Sequence, residues 1–360
     1  MMIPNLKITF VITNLVKCGG TERAVISVAN SLADYNYTIN IISLNSAQEA
    51  TFFPINEKIN IIHLGQKSYE NGNIKNKVIG YFKSYHKIKK HLKSHKTDII
   101  IGTSRNTTIL SLISPNNARS IIGCEHFSSS APINSIIRII RDRLYTKLNR
   151  LIVLTPYDQK YYSNKGINTT CIPNSIPFAP QDCLNEKKNI AIALGRHSRE
   201  KAFDKLIKLW NKIDRKDWEL KIIGEGPLLE YNKSIAKQYN SDNIKFEPFT
   251  KNVIPYYRQA KLYLMTSIFE AFPMVLLEAK TCQCVCVSFD CKTGPKELIN
   301  NNIDGFVIDV NDDKSFIEHV KTLMDNENKC NEMGIKAQEN SLEYSSENIT
   351  QKWITLINEL

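Results

Sequence analysis

Two glutamates, Glu270 and Glu278, lie eight positions apart in the stretch SIFEAFPMVLLEA, residues 267–279. Pro273 between them suits the first turn of a helix, so we predict a helix from about Phe272 to Thr281. The free amides at a helix start, at the positive end of the helix dipole, can bind an anion. Carboxylates accept hydrogen bonds from hydroxyl groups. The segment therefore fits a ligand with hydroxyl-rich groups at both ends and phosphate between them, the layout of a nucleotide-sugar. A surface helix with solvated acids is the alternative.

Two cations occupy a second segment, GRHSREKAFDKLI, residues 195–207. Arg196 and Lys201 there fall between a predicted strand and a predicted helix. Fixed cations in such a loop can neutralise the charge that grows on a departing diphosphate. Alternatively, they are solvated basic residues before a helix. The next predicted strand is followed by GEGPLLE, residues 224–230, whose glycines allow close backbone approach to a ligand.

Glycines and a histidine follow strands in the first half of the chain. Gly19 and Gly20 in NLVKCGGTERA, residues 14–24, permit an unusual backbone path, and their amides can face a phosphate or an acceptor oxygen. The segment lacks the third glycine of GxGxxG, which argues against a nicotinamide dinucleotide, and an ordinary turn remains the alternative. His126 in CEHFSSS stands at the carboxyl end of a predicted strand, where a structural and a functional role are both open.

Strands and helices alternate around these loops, which predicts parallel sheets covered on both faces. The predicted strands of the first half are 7–13, 38–44, 59–64, 98–103, 119–126 and 150–155, with helices at 21–34, 74–95, 106–114 and 132–148. A second series has strands at 189–195, 218–224, 243–249, 261–267, 284–289 and 305–310. The proline-containing segment 170–189 between them is the predicted linker. Ligands of such sheets bind at the carboxyl ends of the strands.

Length and charge bound the organisation of the chain. Its 360 residues favour two domains. The net charge is +11, and residues 1–175 hold 22 lysines and arginines against 9 aspartates and glutamates, a net of +13. The remainder holds 25 against 27, a net of −2. This asymmetry suggests that only the first domain meets a polyanion or an anionic membrane.

Cysteine usage and hydropathy bear on location. Nine cysteines without a disulfide-framework spacing fit a reducing compartment. Cys282, Cys284 and Cys286 are spaced two apart, so we expect them on one face of a buried strand. A zinc site is not expected, because such sites usually use C-x2-C. The chain has no run of about 18 apolar residues, and its N-terminus has no small-residue cleavage site. These features predict a cytoplasmic protein.

Two basic amphipathic segments, 74–96 and 133–150, are candidates for contact with an anionic bilayer. The alternative is that both are core-facing helices with solvated outer faces. The candidate residues for membrane or acceptor contact are Arg23, Lys83, Lys87, Lys90, Arg138 and Arg141.

EAFPMVLLEA resembles the E-x7-E signature of the retaining family-four glycosyltransferases of the GT-B fold, and GRHSREKAFDKLI resembles their GR…KGFD loop. NLVKCGGTER, CEHFSSS, IPNSI, GEGPL and SFDCKTGPKELI…GF also follow the family order, so the resemblance spans essentially the whole chain. It is greatest to the branch that builds bacterial O-antigen, capsule and lipid-linked glycans. The resemblance implies two Rossmann-like, doubly wound α/β domains facing across a deep cleft.

The resemblance also implies domains and roles. Residues 1–175 with 343–360 would bind the acceptor, the last helix crossing back to this domain, and residues 176–342 would bind the donor. The implied catalytic residues are His126 beside the sugar, Arg196 and Lys201 on the diphosphate, and Glu270 on the transferred sugar. The remaining implied donor-binding residues are Gly19, Gly20, Gly195, Glu225, Gly226, Pro227, Phe272, Pro273, Met274, Val275 and Glu278, with Glu278 on the ribose. Ala202 and Ala271 stand where the family usually has glycine, which a negative φ would make tolerable.

The resemblance therefore implies transfer of a hexose or N-acetylhexosamine, of Gal, GalNAc or GlcNAc type, from a UDP-sugar to a polyprenyl-diphosphate-linked oligosaccharide. The resemblance implies retained configuration and a peripheral position on the cytoplasmic face of the membrane. Because the chain contains no D-x-D, we expect no metal and no cofactor. Two alternatives are a GT-B nucleotide-sugar epimerase and a basic nucleic-acid-binding protein, although no nucleic-acid module is recognisable.

Overall fold

Two compact units make up the chain in the computed structural model, which describes residues 6–45, 51–66, 74–180, 187–213 and 217–360. Unit 1 comprises residues 1–175 and 346–360, and unit 2 comprises 176–345. The sequence-based division also falls after residue 175. Part of the predicted linker, 181–186, and the first five residues of the chain lie outside the described ranges.

Unit 1 contains a seven-stranded parallel sheet among its described residues, in the order β3-β2-β1-β4-β5-β6-β7. The strands are β1 (Lys7–Ile12), β2 (Thr38–Ser43), β3 (Asn60–His63), β4 (Ile99–Gly102), β5 (Ser120–Glu125), β6 (Arg150–Val153) and β7 (Thr169–Cys171). The helices are α1 (Gly20–Asp34), α2 (Ile74–Ser94), α3 (Arg105–Ile113), α4 (Ser135–Tyr145) and α5 (Pro156–Ser163), with α13 (Ser346–Asn358) from the end of the chain. Trp353 and Leu356 of α13 are buried in the same core as Phe10 of β1.

Unit 2 contains a six-stranded parallel sheet among its described residues, in the order β10-β9-β8-β11-β12-β13. The strands are β8 (Lys188–Leu194), β9 (Glu219–Ile223), β10 (Ile244–Glu247), β11 (Ala260–Met265), β12 (Val285–Phe289) and β13 (Gly305–Ile308). The helices are α6 (Phe203–Trp210), α7 (Leu229–Gln238), α8 (Ile254–Gln259), α9 (Met274–Thr281), α10 (Pro295–Leu298), α11 (Asp313–Asp325) and α12 (Glu327–Ser341), followed by a 3-10 turn (Leu342–Tyr344).

Both sheets are doubly wound, because the chain builds one half of each sheet and then crosses to the other side of the first strand. The order reverses between β1 and β4 in unit 1 and between β8 and β11 in unit 2. At such a switch point the loops leave the sheet in opposite directions and open a crevice beyond the strand ends. Each sheet therefore has one place built to receive a ligand.

All twelve predicted strands are present, with ends shifted by at most two residues. The short β7 and α5 were not predicted; β7 falls in the segment read as linker. The prediction that three cysteines share a strand face is wrong: Cys286 lies in β12, whereas Cys284 precedes the strand and Cys282 is the C-cap of α9. All three are buried as expected.

Candidate functional site

The switch point of unit 2 brings together the two loops that the sequence singled out. The loop after β8 carries Arg196 and Lys201, and the loop after β11 carries Glu270. Lys201 Nζ lies 2.6 Å from Glu270 Oε1, and both side chains are mostly buried, with 21% and 14% of their surface exposed. Arg196 is exposed, and no acidic side chain of the described residues forms an ion pair with it. One cation is therefore fixed and the other is available to solvent.

Backbone contacts tie these two loops together. The hydroxyl of Thr266, just after β11, donates to the carbonyls of Lys201 and Ala202 at 3.2 and 3.0 Å. The amide of Ile268 donates to the carbonyl of Glu200 at 2.8 Å. The position of Lys201 is thus set by the strand that precedes Glu270, and the ion pair is part of a larger assembly.

The loop after β9 supports the loop after β8 from the other side. The amide of His197 donates to the Glu225 carbonyl at 2.9 Å, and the amide of Leu228 donates to the His197 carbonyl at 3.0 Å. The His197 ring is fully buried, and Asn232 donates to its Nδ1 at 2.9 Å. Burial, with a smaller effect of the Lys233 charge, lowers the pKa of His197 to about 4. A neutral imidazole therefore fills the space between these loops.

The glycines of these loops let the loops pack closely against each other. We had predicted that they allow a ligand to approach the backbone. Gly226 has φ 155°, and a Cβ there would lie 2.5 Å from the His197 carbonyl oxygen. Gly224 has φ 143°, and its Cβ would lie 2.1 Å from the Gly195 oxygen. At Gly195, φ 154°, a Cβ would lie 2.9 Å from Lys201 Cε, so the lysine stem crosses this glycine. Glu225 and Pro227 beside them are exposed.

We expected a negative φ at Ala202, and the structure shows a positive one. Its φ is 47° and its ψ 44°, in the left-handed region, at the N-cap of α6. This conformation costs an L-residue roughly 1–2 kcal/mol, which explains why glycine is usual there. Ala271 is not among the described residues with positive φ, so a methyl group is accommodated at that position.

The helix after Glu270 begins at Met274, two residues later than predicted, with Pro273 as its N-cap. No described residue accepts a hydrogen bond from the amides of Met274 and Val275, whose side chains are partly exposed. Phe272 is 7% exposed, and its ring lies 5.8 Å from that of Tyr344. The free amides of Met274 and Val275 therefore follow a buried phenylalanine, Phe272.

Glu278 lies inside α9 and is 3% exposed. The hydroxyl of Tyr257 donates to its Oε2 at 2.9 Å. Burial, and next the charge of Glu278, raises the pKa of Tyr257 well above its usual range, so this hydroxyl keeps its proton. Tyr257 therefore fixes one oxygen of the carboxylate in place.

The loop after β12 closes this side of the site. The Thr293 hydroxyl donates to the Glu270 carbonyl at 2.6 Å. A Cβ on Gly294, φ 101°, would lie 2.5 Å from Pro273 Cδ. The sequence analysis did not predict three supporting residues, Thr293, Thr266 and Tyr257. Each lies near a strand end or beside a predicted ligand-binding residue, but its residue type alone does not indicate a role in the site.

A pocket of about 550 Å³ occupies the switch point of unit 1. It lies beyond the ends of β1, β4 and β5, and its lining includes Gly19, Gly20, Arg105, Glu125 and Arg141. Neither Gly19 nor Gly20 uses a positive φ, so the unusual backbone path that we predicted is absent. Gly19 instead makes room for Glu22, because a Cβ would lie 2.2 Å from its Oε2.

His126 follows β5 at the edge of a small cavity of about 20 Å³ in unit 1. Its buried Nδ1 has no hydrogen-bond partner among the described residues. Burial lowers the pKa of His126 to about 4, so the ring is neutral near pH 7. Its contact with a sugar stays a prediction.

The basic candidates of α2 are exposed. Lys83, Lys87 and Lys90 lie on its outer surface, and Lys87 donates to the Leu64 carbonyl. Val78, Ile79 and Phe82 are exposed on the same helix. Arg23 of α1 lies with its guanidinium carbon 5.7 Å from the centre of the Phe53 ring.

The candidates of α4 differ from each other. Arg138 is partly exposed, whereas Arg141 is 5% exposed, with its guanidinium on Asp142 at 2.7 Å and above the Tyr162 ring at 5.1 Å. Arg141 is therefore too buried to lie on a membrane, which corrects that part of the prediction; it lines the unit 1 pocket instead. Four isoleucines of α4 are exposed, Ile136, Ile137, Ile139 and Ile140.

Metal clusters and membrane-spanning helices are both absent from the part of the chain that the structure describes. No three His, Cys, Asp or Glu side chains there are grouped to hold a metal ion. No helix there is both long and apolar enough to cross a membrane.

The switch point of unit 2, with its cations, carboxylates and free helix start, has the groups that can receive a phosphorylated ligand. Comparison with known proteins agrees. The family model for glycosyl transferases group 1 matches residues 178–340. The amylovoran biosynthesis glycosyltransferase AmsD of Erwinia amylovora is 27% identical, over 98% of this chain and 99% of AmsD.

Two further proteins resemble the chain over its whole length. The GalNAc-alpha-(1->4)-GalNAc-alpha-(1->3)-diNAcBac-PP-undecaprenol alpha-1,4-N-acetyl-D-galactosaminyltransferase of Campylobacter jejuni is 26% identical, with 99% of each chain covered. A crystal structure of a mutant of S. aureus TarM in complex with fondaparinux, alpha-GlcNAc-glycerol and UDP has a TM-score of 0.81 at 15% identity, covering 98% of this chain and 100% of that one. Residues 178–340 thus match the group 1 glycosyltransferases, the whole chain has the GT-B fold, and the relatives named here are bacterial glycosyltransferases of polysaccharide and lipid-linked glycan assembly.

Proposed function

We propose that this protein is a retaining glycosyltransferase that moves a hexose or N-acetylhexosamine from a UDP-sugar to a polyprenyl-diphosphate-linked oligosaccharide. The observation that supports this most is the ion pair of Lys201 with Glu270 at the switch point of unit 2, beside the free amides of Met274 and Val275. A cation, a carboxylate and a helix start within one set of loops match the phosphate and the hydroxyl groups of such a donor.

In the proposed complex the diphosphate lies against the start of α9. The amides there donate to phosphate oxygens, and Lys201 and Arg196 add positive charge. Glu278, held by Tyr257, accepts from the ribose hydroxyls. Glu270 contacts the sugar to be transferred. Because Lys201 already lies on Glu270, one lysine can join the diphosphate end of the donor to the sugar end.

The proposed reaction breaks the bond between the sugar C1 and the diphosphate oxygen. The acceptor hydroxyl forms the new bond to C1 on the same face, and its proton passes to the leaving diphosphate oxygen. Negative charge grows on the UDP as it leaves, and the fixed cations and the helix dipole stabilise it. We propose that these groups make a metal unnecessary, and that His126 orients the sugar.

The acceptor assignment is supported by relatives, since the name of the Campylobacter jejuni enzyme gives an undecaprenol-linked saccharide. It is also supported by the basic charge of unit 1 and by the exposed isoleucines of α4, which together suit an anionic membrane surface. We propose that the protein works at the cytoplasmic face of the membrane, where such an acceptor is held.

The test is a transfer assay with UDP-GalNAc, UDP-GlcNAc, UDP-galactose and UDP-glucose, and a citronellyl-diphosphate-linked GalNAc as acceptor. We expect a product one sugar longer, with an α-linkage by NMR, and the same rate with excess EDTA. Release of an epimerised sugar without acceptor elongation would instead favour the epimerase, and a β-linked product would contradict retention. Binding of duplex DNA but no nucleotide-sugar would contradict the whole proposal.

A further inference from the structure

The carboxyl group of Glu125 stands at the end of β5, in the floor of the unit 1 pocket. The residue is 7% exposed. The hydroxyl of Tyr145, itself fully buried, donates to Glu125 Oε1. A carboxyl this deeply buried needs a reason, because burial of a charge is costly unless it is well paired.

The second oxygen, Oε2, forms no hydrogen bond with the described residues. It is also not among their inaccessible polar atoms that lack a hydrogen-bond partner. It is therefore the part of the residue that reaches the pocket. Tyr145 fixes Oε1, so the direction of Oε2 is also fixed. This arrangement presents one well-oriented acceptor to whatever fills the pocket.

Nearby charges only partly offset the burial of Glu125. Arg141 is engaged by Asp142, and neither it nor Arg105 forms an ion pair with Glu125 within 4.0 Å. Burial raises the pKa of Glu125, while the Tyr145 hydrogen bond and then Arg141 and Arg105 lower it. The protein thus keeps a costly hydrogen-bonding group in the floor of this pocket.

We propose that Glu125 Oε2 binds a hydroxyl group of the saccharide acceptor in the unit 1 pocket, and that Tyr145 is the positioning residue that aims it. This inference rests on the proposed function and adds the group that recognises the acceptor. A sugar hydroxyl is a donor that suits a single fixed carboxyl oxygen, and the pocket has room for a monosaccharide at the end of the acceptor.

The experiment measures acceptor and donor separately, using citronellyl-diphosphate-linked GalNAc as acceptor. For Glu125→Gln we expect the acceptor KM and the acceptor dissociation constant, from saturation-transfer NMR, to rise about 10-fold or more, because the carboxyl oxygen that Tyr145 positions is replaced by an amide group. The donor KM should change less than about 2-fold. Tyr145→Phe should give a smaller rise in the same direction. Glu57→Gln, at an exposed carboxyl of unit 1, is the matched control and should behave as wild type.

Wild-type acceptor affinity in Glu125→Gln, or an effect on the donor KM alone, would overturn the inference while transfer by the wild type still supports the proposed function. If the wild type neither binds the acceptor nor elongates it, both are wrong. Lower stability in Glu125→Gln and Tyr145→Phe with unchanged acceptor affinity would assign Glu125 a purely structural role and also overturn the inference.

Discussion

Lys201 Nζ lies 2.6 Å from Glu270 Oε1, although 69 positions separate the two residues and different strands carry their loops. The contact means that two residues with different proposed ligands restrain each other. Partial burial makes such a pair stronger than one on an exposed surface, where the contribution is about 0–1 kcal/mol. In our account the donor binds to an ordered site that needs little rearrangement.

Replacing either partner should therefore impair transfer. We expect Lys201→Ala to remove about 2 kcal/mol or more of transition-state stabilisation and Glu270→Gln to lower turnover sharply, with the fold intact. Because the two residues are in contact, the loss in the double variant should be smaller than the sum of the single losses. Steady-state kcat/KM measures this. Lys208→Ala, at an exposed lysine paired with Asp204, is the control, and unchanged kinetics in Lys201→Ala would refute the assigned role.

Ala202→Gly should stabilise the protein. Ala202 has φ 47°, and removal of its methyl group relieves a strain of about 1 kcal/mol, net of the extra entropy that glycine adds to the unfolded chain. Urea unfolding gives the difference. Ala271→Gly is the control and should be neutral or destabilising by about 0.5–1 kcal/mol, because no positive φ exists there to relieve. Equal changes in the free energy of unfolding for the two substitutions would show that Ala202 is not strained.

Membrane binding should depend on the exposed isoleucines of α4. Ile136 and Ile139 are each 67% exposed, so their insertion into a bilayer interface adds apolar burial to the attraction of the basic residues. The variant Ile136→Ser with Ile139→Ser should bind phosphatidylglycerol vesicles about 10-fold more weakly. Ile303→Ser, at a 51% exposed isoleucine of unit 2, is the control. Vesicle sedimentation that does not change in the α4 variant would refute this surface.

Stability should fall in mild acid because the pKa values of two histidines are lowered in the folded protein. The pKa values of His126 and His197 are lowered to about 4 in the folded protein, against about 6.5 in an unfolded chain. Between these values the unfolded chain binds protons that the folded protein does not, so the free energy of unfolding decreases as the pH falls from about 6.5 to about 4. The variant His126→Gln should show a shallower decrease, and His86→Gln, at an exposed histidine, should follow wild type. A parallel curve for His126→Gln would contradict the burial argument.

The architecture was predictable because strand and helix periodicities alternate clearly along the chain. The short β7 and α5 escaped, since a three-residue strand and an eight-residue helix carry little periodic signal. β7 is held by its pairing with β6, whereas α5 begins with a Thr155 cap and Pro156 in its first turn, a local signal that the prediction did not use.

The loops that form the site were predictable from the sequence, but the contacts between their side chains were not. The rule that ligands bind beyond strand ends selected the loops of Lys201 and Glu270, but their ion pair is a tertiary contact. The left-handed φ of Ala202 and the burial of Arg141 above Tyr162 are likewise decided by packing. Glu125 stands beside the predicted His126 at a strand end, so the same rule could have found it.

A crystal structure with bound UDP would locate the donor site. We expect the diphosphate to lie against the amides of Met274 and Val275, with Lys201 and Arg196 on its oxygens and the ribose hydroxyls on Glu278. UDP bound at any other position, or a diphosphate without contact to the start of α9, would show that unit 2 does not bind the donor as we propose.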